Sequence, residues 1–194
     1  MRRRRQGLSF RKQRKKLNLP LIKEVLLWIG ESFIIVILAY TLIYFFGFRI
    51  QVVGSAMAPT LENEEQILIN RFGYLITGPK TGDVVVFLPN GNEKSHYYTR
   101  RVIGCPGDTV QIKDGAVYVN GELYEEELEV ASIVDAGVAG DEIKLSHDEY
   151  FVLGDNRNSS EDSRMANIGN VKKKHMIGKA WFRFTSIKDM EIIQ

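Results

Sequence analysis

A chain of 194 residues, 44% hydrophobic and 26% charged, has enough apolar content for one substantial core and is neither a disordered nor a collagen-like sequence. Its net charge of +2 averages two unlike parts, because residues 1–23 carry ten Lys or Arg and no acidic residue, while residues 49–194 carry 16 basic against 22 acidic. A nucleic-acid binder keeps its basic stripe on the folded domain, so nucleic acid is excluded as an expected partner.

In chain order, residues 1–23 form a basic tail expected in the cytoplasm, and residues 24–48 form an expected transmembrane anchor. Ser32–Phe48 runs 17 residues without a charge, and Val25–Glu31 extends it, interrupted only by Glu31. Together they supply the roughly 20 apolar residues that a bilayer span needs. Trp28 and Tyr44 lie near its two ends, where amphipathic rings settle, and Arg2–Arg5, Arg11, Lys12 and Arg14–Lys16 precede it. The positive-inside bias then places the C-terminal part, residues 49–194, outside the cell membrane of a single-pass protein. Two alternatives compete. A core helix of a soluble protein would not be apolar on every face. A cleaved signal peptide would have a shorter apolar run, and its one small-x-small site, Ala56-Met57-Ala58, is followed by Pro59.

Beyond Arg49 the pattern turns to short β-rich runs. Predicted strands are Ile50–Val53, Gln66–Asn70, Asp83–Leu88, Tyr97–Ile103, Thr109–Lys113, Ala116–Val119, Glu149–Leu153 and Lys179–Phe184. Asp114-Gly115 and Asn120-Gly121 predict tight hairpin turns. The expected fold class is therefore mainly β, an antiparallel sheet or barrel behind one N-terminal helix, with residues 109–149 as an acidic β insertion. Cys105 is the sole cysteine, which excludes an internal disulfide and predicts a small buried hydrophobe. Three scattered histidines, His96, His147 and His175, lack metal-ligand spacing and read as surface residues; no metal and no cofactor is expected.

Three segments, in order behind the anchor, carry a family likeness: Gly54-Ser55-Ala56-Met57-Ala58-Pro59-Thr60-Leu61, then Tyr98-Thr99-Arg100-Arg101-Val102-Ile103-Gly104-Cys105-Pro106-Gly107-Asp108, then Gly154-Asp155-Asn156-Arg157-Asn158-Ser159-Ser160-Glu161-Asp162-Ser163-Arg164. They resemble the signature boxes of the type I signal peptidases, membrane enzymes that remove signal peptides from secreted precursors with a Ser/Lys dyad. The resemblance implies a serine nucleophile at position 56 and a lysine base at position 100. It also implies a hydroxyl from Ser163 to orient that lysine, an Asp155–Arg164 ion pair to fix the third box, and an oxyanion site to which Gly54 contributes. Ser55, Met57, Pro59 and Tyr98 would border the substrate. Such chemistry needs a lysine whose pKa burial has lowered toward neutrality, beside an otherwise weak nucleophile.

The match breaks at both reacting positions. A methyl group at Ala56 has no lone pair with which to attack a carbonyl. The guanidinium at Arg100 stays protonated, with a pKa above roughly 12, and cannot accept a proton. A buried arginine there would need Asp155, Asp162 or a carbonyl as partner. In that case Asp155, Arg157, Asp162 and Arg164 persist as a structural knot. Ser55 as substitute nucleophile, with His96 as base, would require a bulge to bring its hydroxyl round to the face of Ala56. Two functions follow as expectations: a non-catalytic binder of secreted precursors or signal peptides, linked by analogy with degenerate relatives to surface-fibre (pilus) assembly; or an active signal peptidase with a divergent nucleophile.

Overall fold

The computed structural model describes residues 18–126, 128–184 and 190–193. The chain divides into two compact units, Met1–Tyr40 and Thr41–Gln194. Most of the expected basic tail, residues 1–17, lies outside the described residues.

Helix α1 spans Leu19–Phe46, 28 residues with none buried, and its composition and length are those of a membrane-crossing helix. At about 1.5 Å per residue it reaches about 42 Å, more than the roughly 30 Å of a hydrocarbon core. It begins earlier than predicted because Pro20 falls in the first turn, where a missing N–H is harmless. It stops at Phe46 because Phe48 already pairs with Ile69 in a sheet.

The strands are β1 (Phe48–Gln51), β2 (Gln66–Asn70), β3 (Val84–Phe87), β4 (Tyr98–Gly104), β5 (Thr109–Lys113), β6 (Ala116–Val119), β7 (Glu122–Leu123), β8 (Ile143–Lys144), β9 (Glu149–Leu153), β10 (Val171–Lys172), β11 (Met176–Phe184) and β12 (Met190–Ile192), with a short helix α2 (Phe72–Ile76) after β2. All pairings are antiparallel among the described residues. An eight-stranded sheet has the order β1-β2-β11-β3-β4-β9-β10, with β12 beside β11, and a four-stranded sheet has the order β7-β6-β5-β8. The fold is mainly β, as expected. Within the stretch read as an insertion, residues 109–144 form the smaller sheet, while Glu149 already belongs to β9 of the larger one. Asp114-Gly115 and Asn120-Gly121 make the turns of the smaller sheet with positive φ at all four residues, the geometry of a two-residue hairpin loop.

Strand β3 shows why the larger sheet is stable. Its four residues alternate between faces, and every one is buried. Val84 and Val86 join Met57, Leu61, Ile67, Ile69 and Ala180 on one side, and Val85 and Phe87 join Val102, Val152 and Val171 on the other. A third cluster, with Ile103, Val110, Ile112 and Phe151, ties the smaller sheet to the strands that carry the second and third boxes.

Candidate functional site

The first box does not continue β1. The strand ends at Gln51, and residues 54–60 form bends and turns, so the expected strand to Val53, with its alternation of faces, does not hold. The turn still turns Ala56 inward, at 8% exposure, and leaves Ser55 exposed. The Ser55 carbonyl accepts from Ala58 N–H at 3.1 Å and from Asn156 Nδ2 at 3.2 Å, while its hydroxyl has no hydrogen-bond partner among the described residues. Met57 is fully buried in the core beside Leu61 rather than lining an open surface. Pro59 is exposed and lines a pocket of about 220 Å3 with Thr60, Leu128, Arg183, Ile192 and Ile193. The Gly54 N–H donates to Asn63 Oδ1 at 2.7 Å.

Arg100 lies on β4 opposite Val85 and is 6% exposed. Its Nε donates to the Glu161 carbonyl at 2.8 Å and one terminal nitrogen donates to the Thr99 carbonyl at 2.6 Å. The carbonyl option among its three expected partners is therefore the one realised. Burial lowers its pKa from the usual arginine value, and the nearby Asp162 carboxylate opposes that shift. The guanidinium carbon lies 5.0 Å from the Tyr98 ring centroid. Tyr98 donates its hydroxyl to Glu161 at 2.7 Å and stacks on His96 at 4.8 Å, and burial together with Glu161 raises its pKa. Arg100, Tyr98 and Glu161 thus close into one patch, with both faces of the Glu161 residue engaged.

The ion pairs differ from the expected one. Asp155 binds Arg101, not Arg164, through two hydrogen bonds of 2.8 and 2.7 Å. The register explains why: Arg101 pairs with Leu153 across β4 and β9, and Asp155 follows two residues later along the same chain direction. Arg164 binds Asp162 instead, with its Nε and a second nitrogen at 2.8 Å each, and also reaches the carbonyls of Arg157 and Asp135. Asp155 further accepts from the Thr60 hydroxyl at 2.5 Å, so this one carboxylate ties the first, second and third boxes together. Asp162, fully buried, accepts from Gly154 N–H at 3.1 Å and from Arg164 N–H at 3.2 Å as well. Arg157 pairs with Glu126 at 2.6 Å.

Two of the three serines in the third box, Ser160 and Ser163, are buried. Ser163 is fully buried, and its hydroxyl accepts the Val152 N–H at 3.0 Å while its own N–H donates to the Val152 carbonyl at 3.1 Å. It is a backbone tie. Ser160 is the residue the sequence reading missed: 7% exposed, with a hydroxyl that has no partner. A Cβ on Gly154 would stand 2.1 Å from Ser160 Oγ and 2.5 Å from the Ala56 carbonyl oxygen, so Ser160 and Ala56 meet over the bare face of Gly154. The Ala56 carbonyl also accepts Asn156 N–H at 3.0 Å. One loop, residues 154–164, therefore contacts Ala56 through Gly154 and Asn156 and Arg100 through Glu161. The glycine opening the box was the sequence signal for Ser160, since it permits that close approach. Beside the loop lies a cavity of about 690 Å3, lined in part by Arg157, Ser160, Arg164 and Val138.

Cys105 is half-buried, not buried, because its turn leaves the sheet and its sulfur lies 3.4 Å from the Thr81 hydroxyl. His96 and His147 are exposed, whereas His175 is half-buried against Gly91 rather than on the surface. No cluster of metal-ligating side chains occurs among the described residues.

The family model described as "Signal peptidase, peptidase S26" matches residues 25–185. Signal peptidase I P of Bacillus subtilis subsp. natto is 37% identical over 175 residues, covering 87% of this chain and 90% of that protein. Signal peptidase I T of Bacillus subtilis strain 168 is 34% identical over 169 residues, covering 83% and 86%. A crystal structure of a signal peptidase I from Enterococcus faecalis V583 aligns with a TM-score of 0.41 at 28% identity, over 54% of this chain and 97% of that one. A single long apolar helix near the N-terminus and relatives that match nearly end to end indicate a membrane-anchored protein. The chain belongs to the signal peptidase family, peptidase S26.

Proposed function

We propose that this chain is a non-catalytic member of its family. Its N-terminus lies in the cytoplasm and its strand-rich part outside, where it binds signal-peptide-bearing precursors, or partners in surface-fibre assembly, without cutting them. The observation that carries this reading is the chemistry at positions 56 and 100. Ala56 offers no nucleophile, and the buried Arg100 guanidinium is fixed by two carbonyls at 2.8 and 2.6 Å. A lowered arginine pKa still leaves the group a cation that donates hydrogen bonds and accepts no proton.

Ser55 offers no route round this loss. Its side chain is exposed while the position that reads as the nucleophile points inward, and His96 is stacked on Tyr98. The framework around the vacated chemistry nonetheless stays closed, through Asp155, Asp162 and Ser163. That supports a surface kept for recognition. The test is to mix the full-length protein, in neutral detergent, with a signal-peptide-bearing precursor and weigh what co-purifies. Precursor retained at its full mass is the expected result. Precursor shortened at the signal-peptide junction overturns the proposal.

A further inference from the structure

Within the unit Thr41–Gln194, a pocket of about 500 Å3 opens beside the last turn of α1. Its walls are Tyr44, Phe45, Tyr74, Met176 and Ile177, and its cations are Arg71, Lys173 and Lys174. Arg71 is placed by its backbone N–H, which donates to the Phe45 carbonyl at 3.0 Å, and by its guanidinium carbon, 3.8 Å from the Phe48 ring centroid and 5.7 Å from that of Tyr44. Stacking of this kind engages the flat face of the guanidinium and leaves its N–H edge available. Lys173 Nζ lies 3.4 Å from where a Cβ on Gly78 would stand, with the Tyr150 hydroxyl 3.3 Å from the same point.

No carboxylate forms an ion pair with Arg71, Lys173 or Lys174 among the described residues. Of the neighbouring acids, Asp83 holds Lys179 at 2.5 Å, Glu149 accepts from Asn170 and Ser146, and Asp148 receives the Lys173 N–H at its backbone carbonyl at 2.8 Å while its carboxylate forms no ion pair among the described residues. This positive patch stands on a part of the chain, residues 49–194, that carries more acidic than basic residues, 22 against 16. Burial, and then Lys174 and Lys172, lower the pKa of His175 against an opposing pull from Asp148.

We propose that this pocket binds the phosphodiester headgroup of an anionic phospholipid. The inference rests on reading α1 as a membrane span. The pocket then sits where the chain leaves the bilayer, the cations face the phosphate, and Tyr44, Phe45, Met176 and Ile177 face the glycerol and upper acyl carbons. A free phosphate would leave most of the volume empty and the apolar wall unused.

Native mass spectrometry of the full-length protein in neutral detergent tests this, with dioleoyl phosphatidylglycerol or dioleoyl phosphatidylcholine added at equal concentration. The wild-type protein and a charge-matched control, Lys94→Gln/Lys113→Gln, should retain phosphatidylglycerol about tenfold better, and Lys173→Gln/Lys174→Gln should lose most of that preference. All four lysines are exposed, so folding is unaffected by either pair of changes. An undiminished preference in the Lys173/Lys174 variant overturns the proposal. So does displacement of the lipid by excess glycerol phosphate, which marks a site for soluble anions. Alkaline extraction of cell membranes reads the anchor separately: release of the wild-type chain would overturn the span, and the lipid preference in detergent would still decide the pocket.

Discussion

Four buried charges lock the three boxes, and they do so as two closed pairs. Each pair is satisfied by further hydrogen bonds, the condition under which a buried ion pair is tolerated. Removing one partner strands the other. Asp155→Ala, which leaves Arg101 buried and also frees the Thr60 hydroxyl, is expected to destabilise the protein by about 3–5 kcal/mol, read as a shift in the urea midpoint at constant slope. The two serines give a sharper contrast. Ser163→Ala leaves the buried Val152 N–H without its acceptor and should cost about 1–3 kcal/mol, whereas Ser160→Ala removes a hydroxyl that has no partner and should be nearly neutral. Equal losses from both would refute the assignment of roles. Ala56, Arg100, Asp155 and Arg164 stand in boxes recognisable in the sequence, and the fold ties those boxes together through Asp155. The sequence left the pairing illegible, since which arginine reaches Asp155 depends on the β4–β9 register, and that register is a property of the sheet.

Strand β11 is the element on which the larger sheet turns, for it pairs with β2, β3 and β12 and carries register shifts at Met176/Gly178 and Ala180/Phe182. At Gly178 the β2 backbone comes close: a Cβ there would lie 2.5 Å from the Asn70 carbonyl oxygen and 2.8 Å from Ile69 Cγ2. Gly178→Ala should therefore cost about 1–3 kcal/mol in chemical denaturation, because backbone on both sides must shift. Helix α2 contributes through Tyr74. Burial, and then Asp83, to which its hydroxyl donates at 3.4 Å, hold this phenol protonated well above the ordinary value of 10.0. Above pH 10 the unfolded chain gives up that proton while the folded chain keeps it, so the folded state binds more protons and stability falls as pH rises. Tyr74→Phe should flatten part of that alkaline fall in thermal melts. Strong alternation and turn residues made β2, β5, β6 and β9 readable to the residue. Helix α2, at five residues, is too short for helical periodicity, and the two-residue strands β7, β8 and β10 owe their existence to neighbours rather than to their own pattern.

For the molecule as a whole, α1 is an apolar helix of 28 residues, and the first residues after it build the sheet that holds the candidate site. The apolar helix itself was legible from composition alone. The close packing of Ser160 against Gly154 and the Ala56 carbonyl was not, because it joins residues about a hundred positions apart. The most direct measurement is precursor processing by the full-length protein in lipid vesicles, comparing the wild-type chain with Ala56→Ser, Arg100→Lys and the double variant. The expected result is no cleavage by the wild type or either single variant, and product only from Ala56→Ser/Arg100→Lys. Cleavage at the signal-peptide junction by the wild-type chain, abolished by Ser55→Ala, would contradict it.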